Sequence, residues 1–145
     1  MTYPTHLPKP NMIQHVFVYG TLKTGQCRAT MWPAKPISIE PAWVRGQLFG
    51  RSDYPAMMPG EDRVLGEIWH FAGLDMPRVT EVLDQIEGTG QVGFPDLYVR
   101  VVVDVFGMDG HLIAAASAYH YAKSPEIDGF RRIDATDFAQ WPSTS

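Results

Sequence analysis

The sequence predicts an α+β domain, a mixed or mainly antiparallel sheet curled into a small barrel and covered by a few helices. Three observations lead there. The regular segments run in the order strands, one clear amphipathic helix, then a hairpin. Strands and helices do not alternate, which argues against a doubly wound parallel sheet. The second arm of the hairpin is rich in alanine, the small side chains that a crowded closed interior needs.

The elements follow in chain order. Residues 1–12 carry Pro4, Pro8 and Pro10 and no hydrophobic signal core, and read as a flexible leader to a single domain over 13–145. Gln14-His15-Val16-Phe17-Val18-Tyr19 is β-rich and stops at Gly20, the pattern of a buried first strand. Gly20 to Thr30 is a loop, Pro36 to Phe49 holds extended material, and Gly50 to Arg63, with Pro55, Pro59 and Gly60, reads as irregular. Val64 to Phe71 is a further strand. Met76 to Ile86 is the helix: Val79, Val82, Leu83 and Ile86 keep helical spacing, Asp75 is the expected N-cap, Pro77 suits the first turn, and Gly88 is a natural stop. Tyr98 to Phe106 alternates as a strand. Gly107 to Gly110 turns the chain, and Leu112 to Tyr121 returns beside it. A short helix is expected after Asp134.

Composition narrows the function. The chain has 145 residues, 45% hydrophobic and 19% charged, enough for one domain with a real core. A net charge of -4 offers no electrostatic footprint for nucleic acid or anionic lipid, so the expected partner is a small molecule or a protein. The single cysteine, Cys27, excludes a disulfide framework and a multi-thiolate zinc site. No apolar run has the length of a membrane span. The absence of a signal and of paired cysteines suggests the cytoplasm. Trp32, Trp43 and Trp141 fit a core or an interface equally, so monomer and weak homodimer both stay open.

Several motifs fail in context. Gly88-Thr89-Gly90-Gln91-Val92-Gly93 spells a dinucleotide fingerprint, but follows a helix and runs into Phe94-Pro95. Gly20 to Gly25 has the spacing of half a P-loop, yet Gln26 and Cys27 stand where lysine and serine or threonine are needed. The five histidines show no metal spacing, and no G-x-S-x-G elbow exists. Nothing beside Cys27 marks an activated thiol. No cofactor or metal is expected.

Two features remain. On a helical wheel at about 100° per residue, Glu87 lies at the flank of the apolar stripe, above Leu83, whereas Glu81 and Asp84 point away. The helix C-terminus also disfavours a negative charge. Both effects raise the pKa of Glu87 toward that of a general base near neutral pH, unless the residue lies past the last turn and faces water. The second feature is Tyr19-Gly20-Thr21-Leu22. A strand ending in glycine at a turn can offer successive N–H groups to a carboxylate or oxyanion; it can equally be a plain strand-to-loop turn.

Together these residues resemble a known family. Val16-Phe17-Val18-Tyr19-Gly20-Thr21-Leu22-Lys23 matches an opening strand and Y-G-[ST]-L loop, and Tyr54-Pro55-Ala56 with Pro59-Gly60 matches a Y-P-A…P-G stretch. Val64-Leu65-Gly66-Glu67-Ile68 matches V-x-G-E, Leu83-Asp84-Gln85-Ile86-Glu87-Gly88 matches L-D-x-x-E-G, and Leu97-Tyr98-Val99-Arg100 matches the following Y-x-R strand. This order of motifs, from about His15 to Tyr121, resembles the γ-glutamylcyclotransferase-like family, which includes γ-glutamylamine cyclotransferases and AIG2-like proteins.

The resemblance implies a barrel of about six strands, Glu87 as the acid/base, Tyr19, Gly20, Thr21 and Leu22 as the substrate loop, and Tyr98 in the pocket wall. The segment Thr89 to Asp96 is longer than in many relatives, which bears on where Tyr98 falls. The implied reaction is cleavage of a γ-glutamyl amide by its own α-amine, releasing 5-oxoproline and a free amine. The alternatives are hydrolysis of the same amide by water, and a non-catalytic module that binds a small acid or a protein. Arg100 is expected either to meet a carboxylate or to pair with Asp104.

Overall fold

The computed structural model describes residues 13–142. The expected leader lies outside the described residues. Seven strands and one α-helix follow in order: β1 (His15–Val18), β2 (Ser38–Gly50), β3 (Pro55–His70), α1 (Met76–Glu87), β4 (Tyr98–Gly107), β5 (Leu112–Tyr121), β6 (Arg131–Arg132) and β7 (Phe138–Ala139). Five strands close a ring. β1 pairs antiparallel with β3, β3 with β2, β2 with β4, and β4 with β5, and β5 returns to β1 in parallel. Closure removes the open edges of the sheet. β6 and β7 add short flanks to β2 and β3.

The barrel carries two apolar layers. Phe17, Val44, Leu48, Val64, Ala116 and Ala118 fill its interior, so the alanines of β5 do make room at the axis. Val16, Val18, Trp69, Val79, Leu83 and Tyr119 form a second layer between the wall and α1. β1 is buried on both faces, which explains its unbroken apolar run. Gly66 permits the close crossing of β1: a Cβ there would stand 2.2 Å from the Val18 carbonyl oxygen and 2.7 Å from Phe17 Cζ. Trp43 and Trp141 are buried, and Trp32 stacks on Trp69 at 4.2 Å.

Three local expectations are corrected. The stretch 50–63 is not irregular, because β3 starts at Pro55 and pairs with β2 along its length. The register passes from Met58↔Gln47 to Asp62↔Gly46, so Pro59, Gly60 and Glu61 sit in a bulge where the missing proline N–H costs no ladder bond. Asp75 does not cap α1 through its side chain; a 3-10 turn over Gly73–Asp75 leads straight into the helix. No helix follows Asp134 among the described residues. Phe138–Ala139 instead adds in parallel to β3, where Ala139 completes the interior.

Candidate active site

The end of β1 and the end of α1 meet at one pocket. Its cavity volume is about 40 Å³, and it is lined by Tyr19, Gly20, Thr21 and Leu22 on one side and Glu87, Tyr98 and Tyr119 on the other. Arg28, Tyr54 and Pro55 also line it. All six site residues expected from the sequence therefore line a single space.

Glu87 is the last residue of α1. Gly88 ends the helix in the left-handed region (φ 68°, ψ 38°) and returns its N–H to the last carbonyls. Leu97 N–H then donates to Gly88 O at 3.0 Å, and Thr89 Oγ1 donates to Tyr98 O at 2.5 Å. The long turn 89–96 is thus closed at its base, and its extra residues do not displace Tyr98 from the pocket. Among the described residues no donor hydrogen-bonds the Glu87 carboxylate. Burial pushes its pKa up to about 7, against a smaller downward pull from Arg28.

The three tyrosines are held by their hydroxyls. Tyr19 donates to Tyr119 O at 2.6 Å and accepts from Met57 N–H at 3.2 Å, bracing the barrel from inside. Tyr98 donates to Pro55 O at 2.7 Å. Tyr119 donates to Asp84 Oδ1 at 2.6 Å. Burial first, and the nearby Glu87 among lesser causes, holds all three phenols well above their usual range. They present fixed, neutral walls.

The Gly20 turn is tightly specified. A Cβ on Gly20 would meet Pro55 Cγ at 2.6 Å. Thr21 is buried, and the N–H groups of Gly20, Thr21 and Leu22 donate to no acceptor among the described residues. Glu67 Oε1 anchors the loop by accepting from Thr24 N–H at 2.9 Å, Thr24 Oγ1 at 3.2 Å and Trp69 Nε1 at 3.1 Å. Lys23 Nζ donates to Trp141 O at 2.5 Å, and Arg28 N–H to Thr21 O at 2.8 Å.

The sequence model of the family described as gamma-glutamyl cyclotransferase, AIG2-like matches residues 16–140. The chain belongs to that family. Its fold is shared with an AIG2-like protein from Mus musculus, 21% identical, with a TM-score of 0.62 over 92% of this chain and 98% of the mouse chain. YkqA from Bacillus subtilis is 23% identical with a TM-score of 0.57, over 86% of this chain and 39% of its own. A gamma-glutamyl cyclotransferase is 16% identical with a TM-score of 0.51, over 82% of this chain and 69% of its own. At these identities the likeness is one of fold. No curated protein matches the chain at the level of sequence.

Within this family member, two readings of single residues change. Asp84 does not point away from the core: it receives Tyr119 and an ion pair from Arg100, which stands opposite Tyr119 on the neighbouring strand. Arg100 accordingly pairs with Asp84 and not with Asp104. Sequence reasoning also missed Arg28, Tyr54 and Tyr119 as pocket residues. Tyr54 lay inside a quoted motif, but nothing in the local pattern showed that its ring reaches the Gly20 loop. Among the described residues no cluster of three or more histidine, cysteine or acidic side chains is disposed to hold a metal ion. No helix among them is long and apolar enough to cross a membrane.

Proposed function

We propose that this protein is a γ-glutamyl cyclotransferase that converts a γ-glutamyl amide into 5-oxoproline and a free amine. The observation that carries the reading is the half-buried, desolvated carboxylate of Glu87 in the same pocket as the turn Gly20–Leu22. The nucleophile is the α-amine of the substrate, so the enzyme needs neither a catalytic thiol nor a hydroxyl. Holding the glutamyl chain folded supplies an effective molarity on the order of 10⁵–10⁸ M.

The substrate arrives as an ammonium, and only the free amine attacks. A carboxyl group with its pKa raised to about 7 accepts that proton far more readily than one at 4.5. Glu87 takes it, the amine closes on the γ-carbonyl carbon, and the five-membered ring forms. The tetrahedral oxyanion is met by the free main-chain donors of the Gly20 turn. Glu87 then returns the proton to the leaving nitrogen as the amide C–N bond breaks, and the remaining extra proton of the ring nitrogen passes to the departing amine, which leaves as its ammonium. Apolar and tyrosine walls keep water from competing with the internal amine.

The test is incubation with a panel of γ-glutamyl amides whose amines are an amino acid, a polyamine, a lysine side chain or an aminoglycoside, scored for both 5-oxoproline and glutamate. Release of 5-oxoproline with a stoichiometric amine is expected. Free glutamate instead would mean hydrolysis, and neither product would mean a binding module.

A further inference from the structure

Arg28 is the cationic side chain in the pocket wall, and it has no acid of its own there. Its guanidinium lies 5.0 Å from the centre of the Tyr54 ring, and Nη2 donates to the Tyr54 hydroxyl at 2.8 Å. It forms no ion pair among the described residues, so most of its five N–H donors are unspent. Its own main-chain N–H ties it to Thr21, within the turn that faces Glu87.

The reaction supplies the reason for such a group. Once the ammonium has lost its proton, the net charge of the glutamyl moiety is that of its α-carboxylate. Burying that carboxylate without a cation is expensive, whereas a guanidinium fork meets it with paired, charge-assisted hydrogen bonds. We propose that Arg28, propped on Tyr54, is the anion anchor of this pocket and takes the α-carboxylate of the glutamyl group, leaving the main-chain donors of the Gly20 turn to the oxyanion. The assignment rests on the cyclisation reading above. Docking a carboxylate on Arg28 also offsets its downward pull on Glu87, so substrate binding strengthens the base.

The experiment is calorimetric titration with 5-oxoproline and with 2-pyrrolidinone, the same ring without the carboxylate. Wild type is expected to prefer 5-oxoproline. Arg28→Gln is expected to weaken 5-oxoproline by about 10- to 100-fold, the loss of a hydrogen-bonded charge pair, while leaving 2-pyrrolidinone unchanged. Arg28→Lys and Tyr54→Phe are expected to fall between, and they decide the matter if Arg28→Gln does not fold. An undiminished preference in these variants, equal loss of both ligands, or no binding of either by wild type overturns the anchor. Turnover of the γ-glutamyl amide panel separates the two readings. Arg28-dependent binding of 5-oxoproline without turnover would sink cyclisation and keep the anchor. Turnover with the same KM in Arg28→Gln would do the reverse.

Discussion

Tyr119 donates its hydroxyl to Asp84, one turn before Glu87 on the same helix, and its main-chain carbonyl accepts the hydroxyl of Tyr19. One residue of β5 therefore fastens the helix that ends in the acid and the strand that ends in the substrate turn. With Arg100 on the same carboxylate, the distance between the two halves of the pocket is set by the barrel wall.

Tyr119→Phe deletes the hydroxyl and keeps the ring. Asp84 retains Arg100, so the loss lies toward the lower end for a hydrogen bond to a charge, about 1–2 kcal/mol. Urea unfolding measures it. Activity is expected to fall through kcat, because Glu87 loses its fixed approach; a drop in stability with unchanged kcat would confine Tyr119 to a structural role.

Glu87 sets the pH dependence of the reaction. The proton must leave Glu87 before it can act as a base, so kcat/KM rises with pH through a limb centred near 7. A carboxylate in water would place that limb near 4.5. Initial rates between pH 4 and 9 distinguish the two positions, and Glu87→Gln is expected to turn over no substrate at any of them.

The same group lowers stability as pH rises. Its folded pKa of about 7 exceeds the value of 4.5 for a free carboxyl, so the folded state holds the extra proton between those limits. Stability is full below 4.5 and declines up to about pH 7. Glu87→Gln removes this slope and is expected to be more stable than wild type at pH 8, by on the order of 1–3 kcal/mol. Unfolding curves at pH 5 and pH 8 give the comparison; a variant less stable than wild type at pH 8 contradicts it.

Gly20→Ala drives a methyl group to 2.6 Å from Pro55 Cγ. The turn must shift, at a cost of about 1–3 kcal/mol. Activity should fall by far more than the melting temperature suggests, because the three free N–H groups move with the turn. Near-normal kcat would remove the turn from catalysis.

Glu67→Ala leaves Thr24 and Trp69 without their shared acceptor. Glu67 is on the barrel wall and touches no substrate in the proposed reaction. Its loss is expected to raise KM and to increase proteolysis of the loop 20–28, with the barrel intact by circular dichroism.

The local sequence determined much of this protein. Apolar spacing over Val79, Leu83 and Ile86 with Gly88 behind them is enough to define α1, because helix amphipathicity and termination are short-range effects. Alternation along Tyr98 to Phe106 and the Gly107–Gly110 turn likewise defined the β4–β5 hairpin. Placing Glu87 at the flank of the stripe was a matter of helical geometry, and the ordered motifs named the family. Prolines hid the first half of β3, since a bulge that excuses Pro59 exists only once β2 lies alongside.

Tertiary structure decided what faces the acid. The meeting of Gly20 with Glu87 joins residues far apart in the chain, and it depends on the parallel return of β5 to β1, a contact that no local pattern encodes. Arg28 entered the pocket, and Asp84 turned inward to Tyr119 and Arg100, for the same reason. The charge environment of a side chain is set by neighbours brought through space, whereas its place on a helix or strand is set by neighbours along the chain.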